Sequence, residues 1–448
     1  MTRDERRRPR EVRDEIVRLD KARVWHPYTP MDEYIARVDP IVVARAKGAW
    51  LEDVDGRRYL DGNSSWWVAS LGHGHPRLLR VLAEQAHTLA HCSLGGMTHE
   101  PAARLAEELC AIAPGAASDV PLTRAFFTDN GSTSIEVAVK MAVQMWRQLG
   151  APKKSRFVAL DGAFHGDTLA ATSLGGVEVF RRPFANVVFD CVHVPSPAGT
   201  GADFAPAFDA IARIVRAERD TLAAVVVESI VQGAAGMRIY DPAYLRELRA
   251  LTRENDVLLI TDEVFAGYGR TGPMWGCDHA GIAPDLLCLG KAFASLLPMG
   301  ATLATDRVFD AFRGAKDRAL YYGHTFCGHP LGAALAREVL AIYREEAVLD
   351  QVARKAPRIA AAFSRIAELP SVARVRSLGM IGAADLRGDH GYLADAGWRV
   401  YDEARKRGAY VRPMGNTVYV CPPLTIEDAD LDALLAIVEE SIAACAPR

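Results

Sequence analysis

Short apolar runs alternate with longer segments whose apolar residues recur at helical spacing. Residues 124–129 (RAFFTD), 156–160 (RFVAL), 223–228 (AAVVVE), 257–261 (VLLIT) and 285–289 (DLLCL) predict strands. Helical periodicity over 132–149 follows the first strand, and 243–255 links two later ones as a helix; 75–89 and 101–112 predict helices further upstream. Apolar strands spaced by helices imply a mostly parallel sheet buried on both faces. Nearer the start, residues 49–62 read as a hairpin around Asp55-Gly56, a strong turn signal. Beyond Thr325 the pattern changes: a helix from Leu331 to about Glu345 leads into strand candidates in VARVRSLGMIGAADL and GAYVRPMGNTVYVCPP. The expectation is an α/β protein with a large domain of mostly parallel sheet flanked by helices, and a smaller α+β domain built from both chain ends. Its parts are a charged arm or helix (1–24), the first piece of the small domain (25–70), the large domain (71–330) and the rest of the small domain (331–448).

Composition narrows the function classes. In 448 residues, 50% are hydrophobic and 24% charged, the balance of a soluble globular protein rather than a disordered or fibrous one. A net charge of -3 leaves no bulk electrostatic case for nucleic acid. Apolar runs such as 222–231 are far shorter than the roughly 18 residues of a spanning helix, so no membrane association is expected. The eight cysteines form no CxxC pair, which reads as reduced thiols in a cytoplasmic protein, and no metal site is expected. The opening MTRDERRRPREVRDEIVRLD lacks the apolar stretch of a secretory signal.

The chemistry gathers where the strands end, since ligands of open α/β sheets collect at the carboxyl edges. Asp129-Asn130-Gly131-Ser132-Thr133 follows the first strand and opens a helix, a place where free N–H groups favour an anion. Alone, that motif is equally a helix cap. Glu228, Asp262-Glu263 and Gly290-Lys291 close later strands. An aspartate and a lysine at one sheet edge form either a buried ion pair or two handles of pyridoxal phosphate: a lysine that forms a Schiff base and an aspartate that keeps the pyridine nitrogen protonated. Gly131 and Ser132 would take the phosphate, completing the set.

With these motifs in order, the chain resembles the class III, ω-aminotransferase-like branch of the fold-type I pyridoxal-phosphate enzymes, from about Arg23 to Pro423. The matching stretches are FFTDNGSTSIEVAVKMA, AFHGDT, VVVESIVQGAAGM, LLITDEVFAGYGRTG, LCLGKA and GHTFCGHPLG. Within the class, WHPYTPM (25–31), DGNSSWW (61–67), HCSLGGMTHEPA (91–102) and VRPMGNTVYVCPPL (411–424) are similar to the adenosylmethionine–8-amino-7-oxononanoate aminotransferases of biotin biosynthesis. The resemblance implies pyridoxal 5'-phosphate as cofactor, Lys291 as its Schiff-base and proton-shuttling lysine, and Asp262 as the pyridinium partner. It also implies Gly131 and Ser132 at the phosphate, Phe164 against the ring, Gly323 at the substrate, and His324 and Thr325 at the cofactor, with Thr325 reaching the neighbouring subunit's phosphate in a homodimer. Tyr28, Trp66 and Trp67 match an aromatic wall around substrate, and Arg412 the arginine that holds the oxononanoate carboxylate.

That assignment makes physical sense for a long apolar chain ending in a carboxylate: aromatic walls bury methylenes and a guanidinium clasps the far end. Alone, Trp66-Trp67 could equally be core and Arg412 a surface ion pair. Three positions depart from the family pattern: Phe164 stands where a tyrosine is common, Ala294-Ser295 where a Gly-Gly is usual, and His324 where a proline often precedes the threonine. The implied reaction is a ping-pong amino transfer from S-adenosylmethionine to 8-amino-7-oxononanoate. Two alternatives are lysine as donor in the same step and a general ω-amino acid or diamine:2-oxo acid aminotransferase. A third, from another class, is a non-catalytic pyridoxal-binding protein, which the intact Lys291 and Asp262 argue against.

Overall fold

A computed structural model describes residues 9–115, 120–199, 201, 203–388 and 391–445. The first eight residues of the expected N-terminal arm lie outside the described residues; the rest of it forms the helix Pro9–Arg23.

Both ends of the chain meet in one small sheet. Strands β1 (Val43–Lys47), β2 (Trp50–Asp53) and β3 (Arg58–Asp61) are antiparallel neighbours, with Gly56 (φ 82°) in the turn that the Asp-Gly pair announces. The short strand Ala409–Tyr410, from the far end of the chain, pairs in parallel with β3 and sets Tyr410 beside Asp61.

The large sheet is built from β4 (Leu122–Thr128), β5 (Arg156–Leu160), β6 (Cys191–Val194) and β7 (Leu222–Glu228). After the two-residue pair β8 (Val231–Gln232) and β9 (Arg238–Ile239), it is completed by β10 (Leu258–Asp262), β11 (Leu286–Leu289) and β12 (Gly300–Thr305). The order is β4-β12-β11-β10-β7-β5-β6. The β11–β10–β7–β5–β6 block is parallel throughout. All of β7 is buried, and its residues alternate between two cores: Val225 and Val227 face one, Ala224 and Val226 the other. On one side the helix Gly131–Gln148 lays down Ile135, Ala138, Met141 and Met145; on the other, the helices Ala205–Glu218 and Pro242–Glu254 supply Ile211, Val215, Leu245 and Leu248. The sheet is thus covered on both faces, as the unbroken apolar runs require.

Two strands of this sheet escape the sequence pattern. The strand ending at Leu289 is not the last: β12 returns antiparallel and inserts between β11 and β4. Its sequence, GATLAT, is small because the space is tight, and a Cβ on Gly300 would sit 2.5 Å from the Asn130 carbonyl oxygen. At the opposite edge, β6 is only CVHV, too short and too polar to register as a run.

Beyond the sheet, the helix Pro330–Glu345 packs on the helices Pro76–Thr88 and Glu100–Ile112. The helix Val348–Ile366 covers a second small sheet, β13 (Val372–Leu378) and β14 (Ile381–Leu386) with β16 (Thr417–Val420) as the antiparallel partner of β14. β15, the Ala409–Tyr410 strand already described, lies between β14 and β16 in sequence but in the first small sheet. Among the described residues no helix is long and apolar enough to cross a membrane, and all eight cysteines are free.

Candidate active site

The parallel strands aim their carboxyl ends at one cavity of about 360 Å³. Register brings the acids together: Asp262 ends β10 directly beside Glu228 of β7 and Cys288 of β11. Lys291 follows β11 by way of Gly290 and adopts φ 48°. Asp262, Glu228 and Lys291 all line the cavity.

Asp262 is locked on both oxygens. Its Oδ1 accepts the Val264 N–H at 2.9 Å, and its Oδ2 lies 2.8 Å from Nδ1 of buried His165. The other imidazole nitrogen, Nε2, is buried without a partner among the described residues. Glu228 is buried too, accepting the Phe164 N–H at 3.0 Å and the Gly233 N–H at 2.8 Å. Burial nevertheless pushes its carboxyl up to about 7. One bond fastens the loop that carries Phe164 and the other the turn at Gly233, a structural task beside the cavity. Removal from water also lowers the Lys291 amine below the ordinary lysine value, against the opposing pull of Asp262 and Glu228. The Lys291 Nζ stands 4.9 Å from the centre of the Trp67 ring.

At the start of the helix Gly131–Gln148 the capping reading holds, and it leaves room for the anion cradle as well. Asn130 caps it: its Oδ1 accepts the Thr133 N–H at 2.9 Å, while Thr133 Oγ1 accepts the Asn130 N–H at 3.2 Å. That box uses Thr133 and leaves Gly131 and Ser132 on the cavity wall. Space around them is kept clear by glycine. A Cβ on Gly131 would lie 2.7 Å from Val264 Cγ1, and one on Gly166 (φ 117°) 1.9 Å from Ser132 Oγ. Ser132 Oγ accepts the Asp167 N–H at 3.2 Å.

The remaining wall is aromatic. Tyr28 meets Trp66 at 5.7 Å and Phe180 at 5.2 Å between ring centres; Phe180 in turn meets Phe164 at 5.8 Å and Tyr392 at 4.9 Å. The Tyr28 hydroxyl donates to the Asp167 carboxylate, and burial together with that acid holds the phenol above its usual range. Trp67 packs on Phe265 and donates its indole N–H to the Tyr419 hydroxyl at 3.1 Å. The Arg412 guanidinium lies 5.0 Å from the Trp66 ring and 5.7 Å from that of Trp398, with no carboxylate among the described residues paired to it. Trp66 and Trp67 belong to an unusual turn, Ser64 to Trp67, in which every φ is positive. Each such non-glycine residue costs about 1–2 kcal/mol.

Of the residues expected from sequence, Tyr28, Trp66, Trp67, Gly131, Ser132, Phe164, Asp262, Lys291 and Arg412 share the cavity. Gly323, His324 and Thr325 do not line it. Gly323 and Thr325 are exposed in the single chain, and His324 Nε2 sits 3.4 Å from Asp129 at the outer edge of the cradle. At the Ala294-Ser295 departure, Ser295 takes φ 56°, a conformation that a glycine adopts freely. Sequence reasoning passed over His165 and Asp167, although both lie in the AFHGDT stretch, and Phe180 and Tyr392, for which no local signal exists.

A sheet-edge lysine and aspartate beside a glycine-cleared helix start are the groups a pyridoxal-phosphate transferase needs, and the family comparison points to the same class. Residues 34–442 match the family model described as Aminotransferase class-III, and the chain belongs to that family. It is 37% identical over 441 residues to the adenosylmethionine-8-amino-7-oxononanoate aminotransferase of Geobacter sulfurreducens, covering 94% of this chain and 96% of that one. With the enzyme of the same name from Synechococcus elongatus it shares 40% over 424 residues, covering 93% and 97%. Among solved structures, the Methanocaldococcus jannaschii adenosylmethionine-8-amino-7-oxononanoate aminotransferase superposes with a TM-score of 0.91 at 31% identity, covering 96% of this chain and 99% of that one. An omega transaminase from Pseudomonas jessenii in complex with PMP matches with a TM-score of 0.89 at 28% identity, covering 96% and 98%. The cofactor is pyridoxal phosphate. The residues present fit it: the cleared space at Gly131 and Gly166 suits a phosphate, and the pinned Asp262 carboxylate suits a protonated ring nitrogen.

Proposed function

We propose that this aminotransferase moves an amino group from S-adenosylmethionine to 8-amino-7-oxononanoate, forming 7,8-diaminononanoate for biotin synthesis. The observation that carries this reading is the Arg412 guanidinium, with no acid among the described residues paired to it, at the end of an aromatic wall that begins beside Lys291. An apolar chain with a terminal carboxylate fills such a wall and satisfies such a charge. Similarity to enzymes of that name at 37% and 40% identity supports the same choice.

Lys291 and Asp262 would hold the cofactor's reactive and pyridine ends, Gly131 and Ser132 its phosphate, and Phe164 one ring face. When bound, pyridoxal phosphate supplies an electron sink that acidifies the proton on the substrate's reacting carbon. Lys291 Nζ takes that proton and returns it, a task for which its lowered proton affinity suits it. Asp262, oriented by His165 and the Val264 N–H, would pair with the cofactor's pyridine nitrogen. Tyr28, Trp66 and Trp67 exclude water along the substrate chain. Residues 25–70 and 331–448 would make up the small domain and 71–330 the cofactor domain.

The working unit is a homodimer with its sites at the interface. In it the exposed Gly323-His324-Thr325 segment approaches a second copy, so that the partner subunit's Thr325 completes the phosphate site. Exposed Tyr321, Phe326 and Met97 supply apolar area for that contact. A second reading, a broader ω-amino acid aminotransferase, draws on the omega transaminase structures with TM-scores of 0.90. Incubating the loaded enzyme with S-adenosylmethionine and 8-amino-7-oxononanoate should give diaminononanoate. Absence of that product, with turnover of β-alanine or a diamine plus pyruvate, would overturn the first reading in favour of the second.

A further inference from the structure

The turn that carries the two tryptophans is held from outside. Ser64, Ser65, Trp66 and Trp67 have φ of 47°, 44°, 64° and 74°. None is glycine or asparagine, so local preference opposes the whole run and its neighbours must impose it. Asn63, buried at 2% exposure, does most of this. Its backbone oxygen accepts the Trp67 N–H at 2.9 Å, and its Nδ2 donates to the Tyr419 carbonyl at 3.2 Å. Its Oδ1 accepts the backbone N–H of Arg412 at 2.5 Å. Two further ties reinforce it: Ser64 Oγ donates to the Cys421 carbonyl at 2.7 Å, and Ser65 Oγ to fully buried Asp61 at 2.8 Å.

One side chain therefore joins two parts of the cavity wall that lie far apart in sequence. On one side stands the indole pair, on the other the strand segment that presents Arg412. The pairing of Asp61 with Tyr410 and the bonds from Ser64 to Cys421 and from Trp67 to Tyr419 hold the two parts side by side. The Asn63 side chain, however, is what bonds the backbone of Arg412 itself, while the Arg412 side chain meets Trp66 only through a stacked ring. We propose that Asn63 is a positioning residue that, through the left-handed turn it opens, fixes the offset between the aromatic wall and Arg412 and so sets the length of substrate chain accepted.

This rests on Arg412 as the carboxylate-binding group, but not on which amino donor or acceptor is natural. The test is single-turnover bleaching of the loaded enzyme's visible absorbance by straight-chain ω-amino carboxylates, from 4-aminobutanoate to 8-aminooctanoate, and by n-alkylamines of matched length. The native enzyme should show a sharp optimum of chain length for the carboxylates and a smooth trend for the alkylamines. In Asn63→Ala the half-saturation at the optimum should rise about tenfold and the optimum flatten, with maximal rates within about threefold and the alkylamines unchanged. Adding Ser65→Gly, which makes a positive φ free of steric cost, should recover about threefold of that loss. Should Asn63→Ala not fold, Asn63→Asp keeps the acceptor for Arg412, removes the donor to Tyr419, and should show the same flattening to a lesser degree. An unaltered length profile in the variants, or an equal loss for every amine together with loss of cofactor absorbance, overturns the proposal. A native enzyme that treats carboxylates and alkylamines alike overturns both this proposal and the role given to Arg412.

Discussion

Replacing Arg412 with alanine removes the one charge placed to receive a substrate carboxylate. In the free enzyme that guanidinium is stacked between Trp66 at 5.0 Å and Trp398 at 5.7 Å and makes no ion pair with the described residues. Its truncation therefore leaves no buried acid stranded, and the loss falls on substrate binding. A bidentate clasp consists of two charge-assisted hydrogen bonds worth about 1.5–3 kcal/mol each. The arginine is half-buried and its head remains partly hydrated, so a net of about 2–3 kcal/mol is the reasonable share. At about 1.4 kcal/mol per tenfold, the KM for the oxo acid should rise roughly 30- to 150-fold. The carboxylate sits at the far end of the chain from the reacting carbon, so the interaction is equal in ground and transition states and kcat should hold within about threefold. Arg412→Lys keeps the charge but loses the fork and the stacking, and should fall between, at about tenfold. The assay is steady-state kinetics at saturating donor, repeated with an acceptor lacking the carboxylate, for which wild type and variant should coincide. An unchanged KM, or a KM for the donor that rises as much as that for the acceptor, would refute the clasp.

Lys291→Ala should abolish turnover while leaving noncovalent cofactor uptake measurable by equilibrium dialysis; retained turnover would refute the role given to this amine. Gly131→Ala places a methyl 2.7 Å from Val264 Cγ1 and intrudes on the cradle, so cofactor affinity should fall at least about tenfold in dialysis, and unchanged affinity would locate the phosphate elsewhere. Glu263, buried and fastened by the Gly276 and Cys277 N–H groups, is pushed up to about 7 by burial. A raised folded value favours the protonated form, so its stabilising contribution is full below the unfolded value of 4.5 and disappears as pH rises through about 7. Apo-enzyme melting temperature, followed from pH 5 to 8, should therefore decline less steeply in Glu263→Gln than in wild type; parallel curves would contradict that assignment.

The parts of this site that can be read from sequence are those that one strand end determines. Asp262, Glu228 and Lys291 each follow an apolar run, so the alternation that builds the parallel sheet also delivers them to one edge. The helix start at Gly131 was equally legible, since Asn130 caps the helix and Gly131 and Ser132 are left on the cavity wall. Pairings made at a distance were not legible. β12 is a strand because β4 and β11 leave a slot for small residues, and its own sequence carries no strand pattern. Phe180 and Tyr392 reach the aromatic wall from a short helix and a loop, where no periodicity marks them. The left-handed turn runs against every local preference of Ser-Ser-Trp-Trp, and only Asn63, Asp61 and the β16 region impose it. Gly323, His324 and Thr325 lie off the cavity, and nothing within one chain tests the role expected of them.

Borohydride reduction of the cofactor-loaded enzyme, followed by digestion and peptide mass spectrometry, tests the central assignment most directly. A pyridoxyl group should be found on Lys291 alone, with loss of the visible absorbance and of turnover in equal proportion. A label on a different lysine, or none on an enzyme that still transfers amino groups, would contradict the account.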